Sequence, residues 1–274
     1  ADLVTRPENS LIRQSVHARE RLEPLNGDGF GLVWYLPNDP DPARFRSLTP
    51  AWNNANLAEL ARVTKSRCIM AHVRAATSGN FDVSDDNCHP FRCGPFAFMH
   101  NGDIPAFAKI RRPLMDSLSD EGFASIRGNT DSEHMFAVAM EHLRGHEEQS
   151  SCDLLAAALH ATVMRILELL EQHAPGTHAY LNLVLTDGTH AAACRFSTDE
   201  NYIDSLYVNQ GSRYRCDNGV CSMLESEDSS RAVLISSEPL NDGPRWEAVP
   251  RDHVILVSAD RSVSVRELAA CATG

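Results

Sequence analysis

A chain of 274 residues with 25 Lys and Arg against 37 Asp and Glu carries a formal net charge of −12 at pH 7. Phosphate binding draws on a basic face, and no local block of Lys or Arg supplies one, which argues against nucleic acid as the main partner. With 43% hydrophobic and 23% charged residues, the composition is that of a soluble globular protein long enough for a full core.

The chain starts "ADLVTRPENS", without Met and without a recognisable first element. Short apolar runs then predict strands over residues 29–35, 67–74, 96–100, 180–186, 191–196, 205–209, 232–236 and 254–258. Between the third and fourth of these lie two helices. The first opens at "NTDSEHMFAVAMEHL", with Thr130 as N-cap, Glu133 three residues on, and Phe136, Met140 and Leu143 on one face. The second covers residues 154–173, with Leu155, Leu159, Val163, Ile166 and Leu170 at helical spacing. Its apolar stretch "LLAAALHATVMRILELL" is broken by His160, Arg165 and Glu168 and is too short and too charged to span a bilayer.

The loops "LPNDPDP" and "RGHEEQSS" are short, so one domain over residues 1–274 is the simpler organisation. Strands, then two long helices, then strands predict an α+β fold, a layered sandwich of mostly antiparallel strands. No signal peptide is visible, and eight scattered cysteines suit a reducing compartment better than a disulfide framework, so the expected location is cytoplasmic.

Four polar clusters fall at element ends: "NGDGFG", "AHVRAATSG", "FMHNGD" and "GNTDSE". Each has a plain structural explanation as a turn, a surface ion pair or a capping box. Together they describe something narrower. Arg74 offers a planar fork suited to a carboxylate, and Asp131 a charge suited to an ammonium. Asn101 and the Gly102 N–H are neighbouring neutral donors of the kind a developing oxyanion requires. A pocket that holds an α-amino acid by both charges, with an oxyanion hole beyond, suits acyl transfer on a side-chain amide.

These motifs, with "TRPENSLIRQS", "NGDGFGLVWY" and the late "LISSEPL" and "RWEAVP", resemble in order and spacing the class II glutamine amidotransferases among the N-terminal nucleophile hydrolases. Within them the chain is most similar to the small stand-alone type that acts on glutathione or on γ-glutamyl intermediates of ergothioneine synthesis. The resemblance runs over nearly the whole chain. It implies a four-layer αββα sandwich, a small γ-glutamyl substrate, no cofactor, no metal and no membrane, with a partner subunit or homo-oligomer possible. Residue by residue, it assigns Arg74 and Thr77 to the substrate α-carboxylate and Asp131 to the α-ammonium. Asn101 and Gly102 form the oxyanion hole, and His100 is positional. Residues 26–31 line the floor, and Ser236, Ser237 and Glu238 form a structural or substrate-facing edge.

The family's chemistry depends on an N-terminal cysteine whose own amino group, with a pKa of ~8, serves as base. Ala1 is no such residue, and the stretch that follows the family's first strand begins here almost at once. On the order of 15 residues of strand and loop are expected ahead of it. The eight internal cysteines have no free α-amino group and do not substitute. Two explanations stand: a segment that begins Met-Cys lies ahead of Ala1, or the protein binds γ-glutamyl compounds without cleaving them. Two further readings are weaker. A zinc protein built on Cys88, His89 and Cys93 or on Cys216 and Cys221 lacks the tight paired knuckles of structural sites. An amidotransferase that hands ammonia onward would need a separate acceptor subunit.

Overall fold

The computed structural model describes residues 2–21, 23–75, 84–146, 150–211, 213–217, 220–224 and 231–271. In chain order the elements are α1 (Leu11–Val16), β1 (Phe30–Trp34), β2 (Ala43–Ser47), α2 (Ala55–Val63), β3 (Ile69–Val73), β4 (Phe91–Cys93), β5 (Phe96–Asp103), α3 (Phe107–Asp116), α4 (Asp120–Ser125), α5 (Asp131–Leu143) and α6 (Cys152–His173). Then follow β6 (Tyr180–Thr186), β7 (Ala191–Ser197), β8 (Tyr207–Gly211), β9 (Arg213–Asp217), β10 (Val220–Leu224), β11 (Ala232–Ser236), β12 (Trp246–Ala248), β13 (His253–Val257) and β14 (Val263–Glu267).

A six-stranded sheet in the order β14-β13-β7-β6-β5-β4 is the centre of the molecule. Side chains alternate across a strand, so β5 sends Phe96 and Phe98 to one face and Ala97 and Met99 to the other. The first face packs on α5 and α6, where Met135, Leu155, Leu159 and Ile166 join Leu181, Leu183 and Leu185 of β6 in the largest core cluster. Phe136 of α5 stacks on Phe98 of β5 with ring centroids 5.4 Å apart, which ties the helix to the strand that ends in the candidate site.

The second face carries two three-stranded sheets. The sheet β2-β1-β3 sets Val33 and Met70 on Ala97, with Met99 and Val184 beside them. The sheet β11-β8-β12 sets Val208, with Leu206, on Ala193, Ile255 and Val257. Outside the first of these, α1 and α2 close a further cluster in which Leu11 and Leu57 cover Phe30 and Leu32. Helices, six-stranded sheet, second β layer and helices give the four-layer αββα sandwich expected, and the strand pairings within its β layers are antiparallel.

All eight expected strands form. Several of their ends move by one to three residues: β5 continues to Asp103 rather than stopping at residue 100, β8 covers Tyr207–Gly211 rather than 205–209, and β3 begins at Ile69 rather than 67. The strands β2, β4, β9, β10, β12 and β14 and the helices α1 to α4 were not anticipated. Polar edge strands such as Ala43–Ser47 ("ARFRS") and Val263–Glu267 ("VSVRE") lack a continuous apolar run, and α3 passes through Pro113. Thr130 caps α5 as expected, its Oγ1 accepting the Glu133 N–H at 3.3 Å. The Glu133 carboxylate does not return to the cap. It accepts the N–H groups of Arg127 and Gly128 at 3.0 and 2.6 Å, pinning the loop ahead of the helix.

The cysteines differ from a wholly free set. Cys68, Cys88, Cys93, Cys152, Cys194 and Cys271 are free thiols, whereas Cys221 is disulfide-bonded within the β9–β10 hairpin, whose register sets it opposite Cys216. No cluster of metal-ligating side chains occurs among the described residues. No helix among them is long and apolar enough to cross a membrane.

Candidate active site

The site grows from the end of β5. His100, Asn101, Gly102 and Asp103 stay in register with β6, opposite Leu183, Asn182, Leu181 and Tyr180. Gly102 has φ +148, and a Cβ there would lie 1.9 Å from the Tyr180 carbonyl oxygen and 2.7 Å from His100 Nε2. Only glycine lets the strand run this close to its neighbour. The same crowding fixes the His100 ring, whose Nε2–H donates to Tyr180 O at 3.0 Å. A carbonyl only accepts, so the proton is on Nε2. Nδ1 then faces Ser132 Oγ at 2.9 Å.

Ser132 leads directly to Asp131, the first residue of α5. The Asp131 carboxylate is buried and accepts the Ser132 N–H at 2.6 Å, the Ser132 O–H at 3.0 Å and the Ile104 N–H at 3.2 Å. His100 Nδ1 and Asp131 Oδ1 thus compete for one hydroxyl hydrogen. A carboxylate in the first turn of a helix is also favoured by the helix dipole. Next to it Asp103 is half-buried, and burial together with the Asp131 charge pushes its carboxyl up to about 6.

Arg74 ends β3 from the opposite side. Its N–H donates to Gly29 O and its carbonyl accepts the Asp28 N–H, each at 2.9 Å, which binds it to the "NGDG" turn. The side chain is 5% exposed and Nη1 has no hydrogen-bond partner. A buried guanidinium with an open donor is costly unless an anion completes it. Behind it the His72 and His89 rings lie 4.3 Å apart. Burial, neighbouring histidines and the Arg74 charge hold His72 down at about 3 and His89 well below the ordinary range. Both are neutral imidazoles, so the cation here is the guanidinium. Thr77 falls outside the described residues.

A cavity of about 120 Å³ opens beside Asn101. Of the residues nominated from sequence, Asn101, Asn26, Ser236, Ser237 and Glu238 line it, whereas Arg74, His100, Gly102 and Asp131 lie outside its wall. Four polar lining residues had no role assigned from the sequence: Gln14, Arg21, His72 and Asn182. Asn182 was visible as a lone amide in the apolar run "YLNLVL". It sits opposite Asn101, donates through Nδ2 to Ser205 O at 2.9 Å, and leaves a buried Oδ1 unpartnered. Arg21 reaches in from the loop after α1 and donates to Asn26 Oδ1 at 2.6 Å. Nothing local marks it. Glu238 proves to be a latch: its buried carboxylate accepts the N–H groups of Arg19 and Glu20 at 2.9 and 3.0 Å and the Asn9 amide at 3.2 Å.

The described thiols offer no activated nucleophile near this constellation. Burial pushes Cys194 up to about 12 and Cys68 up to about 11, and also raises Cys88.

The family model for "Glutamine amidotransferases class-II" matches residues 9–272, a span that contains every residue of this constellation. The chain belongs to the class-II glutamine amidotransferases. Among curated members of the family it is 35% identical over 277 residues to the "Probable glutamine amidotransferase DUG3" of Saccharomyces cerevisiae, covering 93% of this chain and 77% of that one. It is 27% identical over 260 residues to the "Gamma-glutamyl-hercynylcysteine sulfoxide hydrolase" of Mycolicibacterium smegmatis, covering 94% and 89%. Among solved structures, a class-II glutamine amidotransferase domain protein from Silicibacter pomeroyi aligns with TM-score 0.64 at 25% identity over 87% of this chain and 90% of its own. The glutamine phosphoribosylpyrophosphate amidotransferase of B. subtilis shares the fold, with TM-score 0.54 at 14% identity over 89% of this chain and 44% of its own.

Proposed function

We propose that this class-II glutamine amidotransferase hydrolyses the γ-glutamyl amide bond of a small molecule such as glutamine, glutathione or a related γ-glutamyl compound. The observation that carries the reading is the buried Arg74 guanidinium with its open Nη1, on the same second β layer that faces the Asn101–Gly102 strand end. An α-carboxylate completes Arg74, and the motif that holds Arg74 assigns Thr77 to the same group. The α-ammonium goes to Asp131, whose position His100 and Ser132 hold. Asn101 and the Gly102 N–H receive the oxyanion. The nucleophile is the thiol of an N-terminal cysteine ahead of Ala1, deprotonated by its own α-amino group. Thiol attack on the γ-carbonyl forms a tetrahedral oxyanion, collapse expels the amine and leaves a γ-glutamyl thioester, and water releases glutamate. The similarity to a probable glutamine amidotransferase and to a γ-glutamyl-hercynylcysteine sulfoxide hydrolase supports the substrate class.

The test uses the protein with a cysteine as its first residue. Asn101→Ala is expected to lower kcat by about 10²–10³-fold with a smaller effect on KM. Arg74→Ala is expected to raise KM, and an unchanged KM contradicts its assignment. A second reading, a γ-glutamyl-binding protein without catalysis, is favoured by the buried thiols of Cys68, Cys88 and Cys194, which burial raises away from the reactive thiolate. It is tested by titrating γ-glutamyl ligands calorimetrically against the native protein, whose intact mass reports its first residue. Binding without turnover in a protein shown to begin at Ala1 selects it.

A further inference from the structure

The sheet β2-β1-β3 borders the cavity with β3 and ends on its far side at β2. Phe45 of β2 packs outward with Phe30 in the cluster under α1 and α2, ring centroids 5.8 Å apart. Side chains alternate along a strand, so its neighbours Arg44 and Arg46 face the other way, into the gap over the six-stranded sheet. The register agrees: Arg44 lies opposite Val33, which packs on Ala97 across that gap. From the other layer, Arg92 of β4 pairs with Ala97 itself and so rises from the same face of the six-stranded sheet. Its Nη1 donates to Pro42 O at 2.5 Å, which sets β4 beneath the start of β2. Three guanidiniums from two facing sheets thus meet at one edge of the sandwich.

Charges on an edge strand discourage further pairing, but such guards point to solvent, whereas Arg46 is 15% exposed and Arg44 is half-buried. Their partners are also too few. Arg46 holds Asp86 at 3.4 Å and Arg92 holds its carbonyl, but Arg44 forms no side-chain hydrogen bond or ion pair among the described residues. Burial, followed by the charges of Arg46 and Arg92, lowers Arg44 to about 10. The carboxylates near enough to act on it are Asp86 and Glu133. The first is taken by Arg46 and the second by the N–H groups of Arg127 and Gly128. A half-buried cation with unmet donors beside two like charges is unfavourable by itself.

We propose that this edge binds a tetrahedral oxyanion, either inorganic phosphate or the phosphate group of a small monoester. Guanidinium forks bind oxyanions through paired N–H groups. A carboxylate presents its two oxygens in one plane, enough for one fork. Forks that approach from two facing sheets need acceptors in different planes, which a tetrahedral anion supplies. Arg44 is the main ligand because its donors are free, Arg92 adds its remaining donors from β4, and Arg46 closes from β2 while keeping Asp86. The bound anion ties β2 to β4. The site uses none of the residues of the proposed function and does not rest on that reading.

Calorimetric titration of the whole chain with inorganic phosphate, at an ionic strength fixed with sodium chloride, is expected to show saturable binding with a Kd of about 0.5 mM. Phosphate at about 10 mM is then expected to raise Tm by about 3 °C over chloride alone and to slow amide exchange in Ala43–Ser47 and Phe91–Cys93. Arg44→Gln is expected to weaken binding about tenfold and, with the crowding relieved, to leave Tm in phosphate-free buffer unchanged or higher. Arg92→Gln, which removes a ligand from the other sheet, is expected to weaken binding less and serves where Arg44→Gln does not fold. Methyl phosphate in a second arm separates the sources. Binding at least as tight as that of phosphate assigns the site to monoesters, and much weaker binding assigns it to the free ion. No saturable binding of either, or a rise in Tm that chloride reproduces, overturns the proposal. So does acetate binding as tightly as phosphate, or full phosphate affinity in both arginine variants.

Discussion

The end of β5 and the cavity beside it lie within one site, yet they differ in how far the chain satisfies its own groups. At the strand end, Gly102 lies against Tyr180 O, His100 donates to that same oxygen, Asp131 accepts two backbone N–H groups, and the Ser132 hydroxyl lies between His100 and Asp131. Across the cavity beside it, the β3 and β11 edges form no ladder with each other among the described residues. The first region is preorganised, as the oxyanion site proposed for it must be to act without reorganising during the reaction. The second is an open cavity lined by both apolar and polar side chains. The contrast teaches that a closed hydrogen-bond network and an open cavity can share one wall.

The sharpest way to break the closed half is Gly102→Ala. A Cβ 1.9 Å from a backbone oxygen forces β5 and β6 apart, and the loss expected is about 3 kcal/mol or more, read as a fall in Tm of about 10 °C. A fall under about 2 °C would show that the strand end is not held tightly.

Acid probes the histidines behind Arg74. Their folded-state pKa values lie below the unfolded 6.5, with His72 at about 3, so the unfolded chain binds the protons first and stability falls as pH drops below 6.5. Each costs about 2 kcal/mol between pH 6.5 and 5. The double change His72→Gln and His89→Gln is expected to flatten the denaturation midpoint against pH in that window, and an unchanged slope would remove the neutral-histidine account.

Glu238→Gln loosens the latch between the loop after α1 and the end of β11. Losing charge-assisted bonds to two backbone amides is expected to cost about 1.5 kcal/mol, measured by urea unfolding.

The smallest effect has the opposite sign. Asp103 has a folded pKa raised to about 6 from 3.8, so its stabilising contribution is full below 3.8 and lost as pH rises through 6. Asp103→Asn is expected to stabilise the protein by about 1 kcal/mol at pH 8, after allowance for solvent screening at a half-exposed group, and by nothing below pH 4. An equal gain at both pH values would deny the coupling to Asp131.

How much of this was legible beforehand divides along sequence distance. The end of β5, the Arg74 strand end and the Thr130 cap are local patterns, and the structure forms them where the motifs stood. Asn26, Asn101, Ser236, Ser237 and Glu238 were nominated and do line the cavity. Gln14 and Arg21 were not, because their place depends on a latch between Asn9 and Glu238 that spans 229 residues. The edge strands were hidden for a physical reason as well: charged residues that guard an edge erase the apolar run that announces a strand.

By itself the sequence determined the family, the layered α+β class and the polar constellation, because ordered motifs, period and residue chemistry are local properties. Only the tertiary structure decided that Arg74 is buried with an open donor and that Glu238 is a latch. It alone set β3 and β11 beside one cavity. Those facts depend on which distant segments pack together, and burial, not composition, leaves an arginine with an open donor.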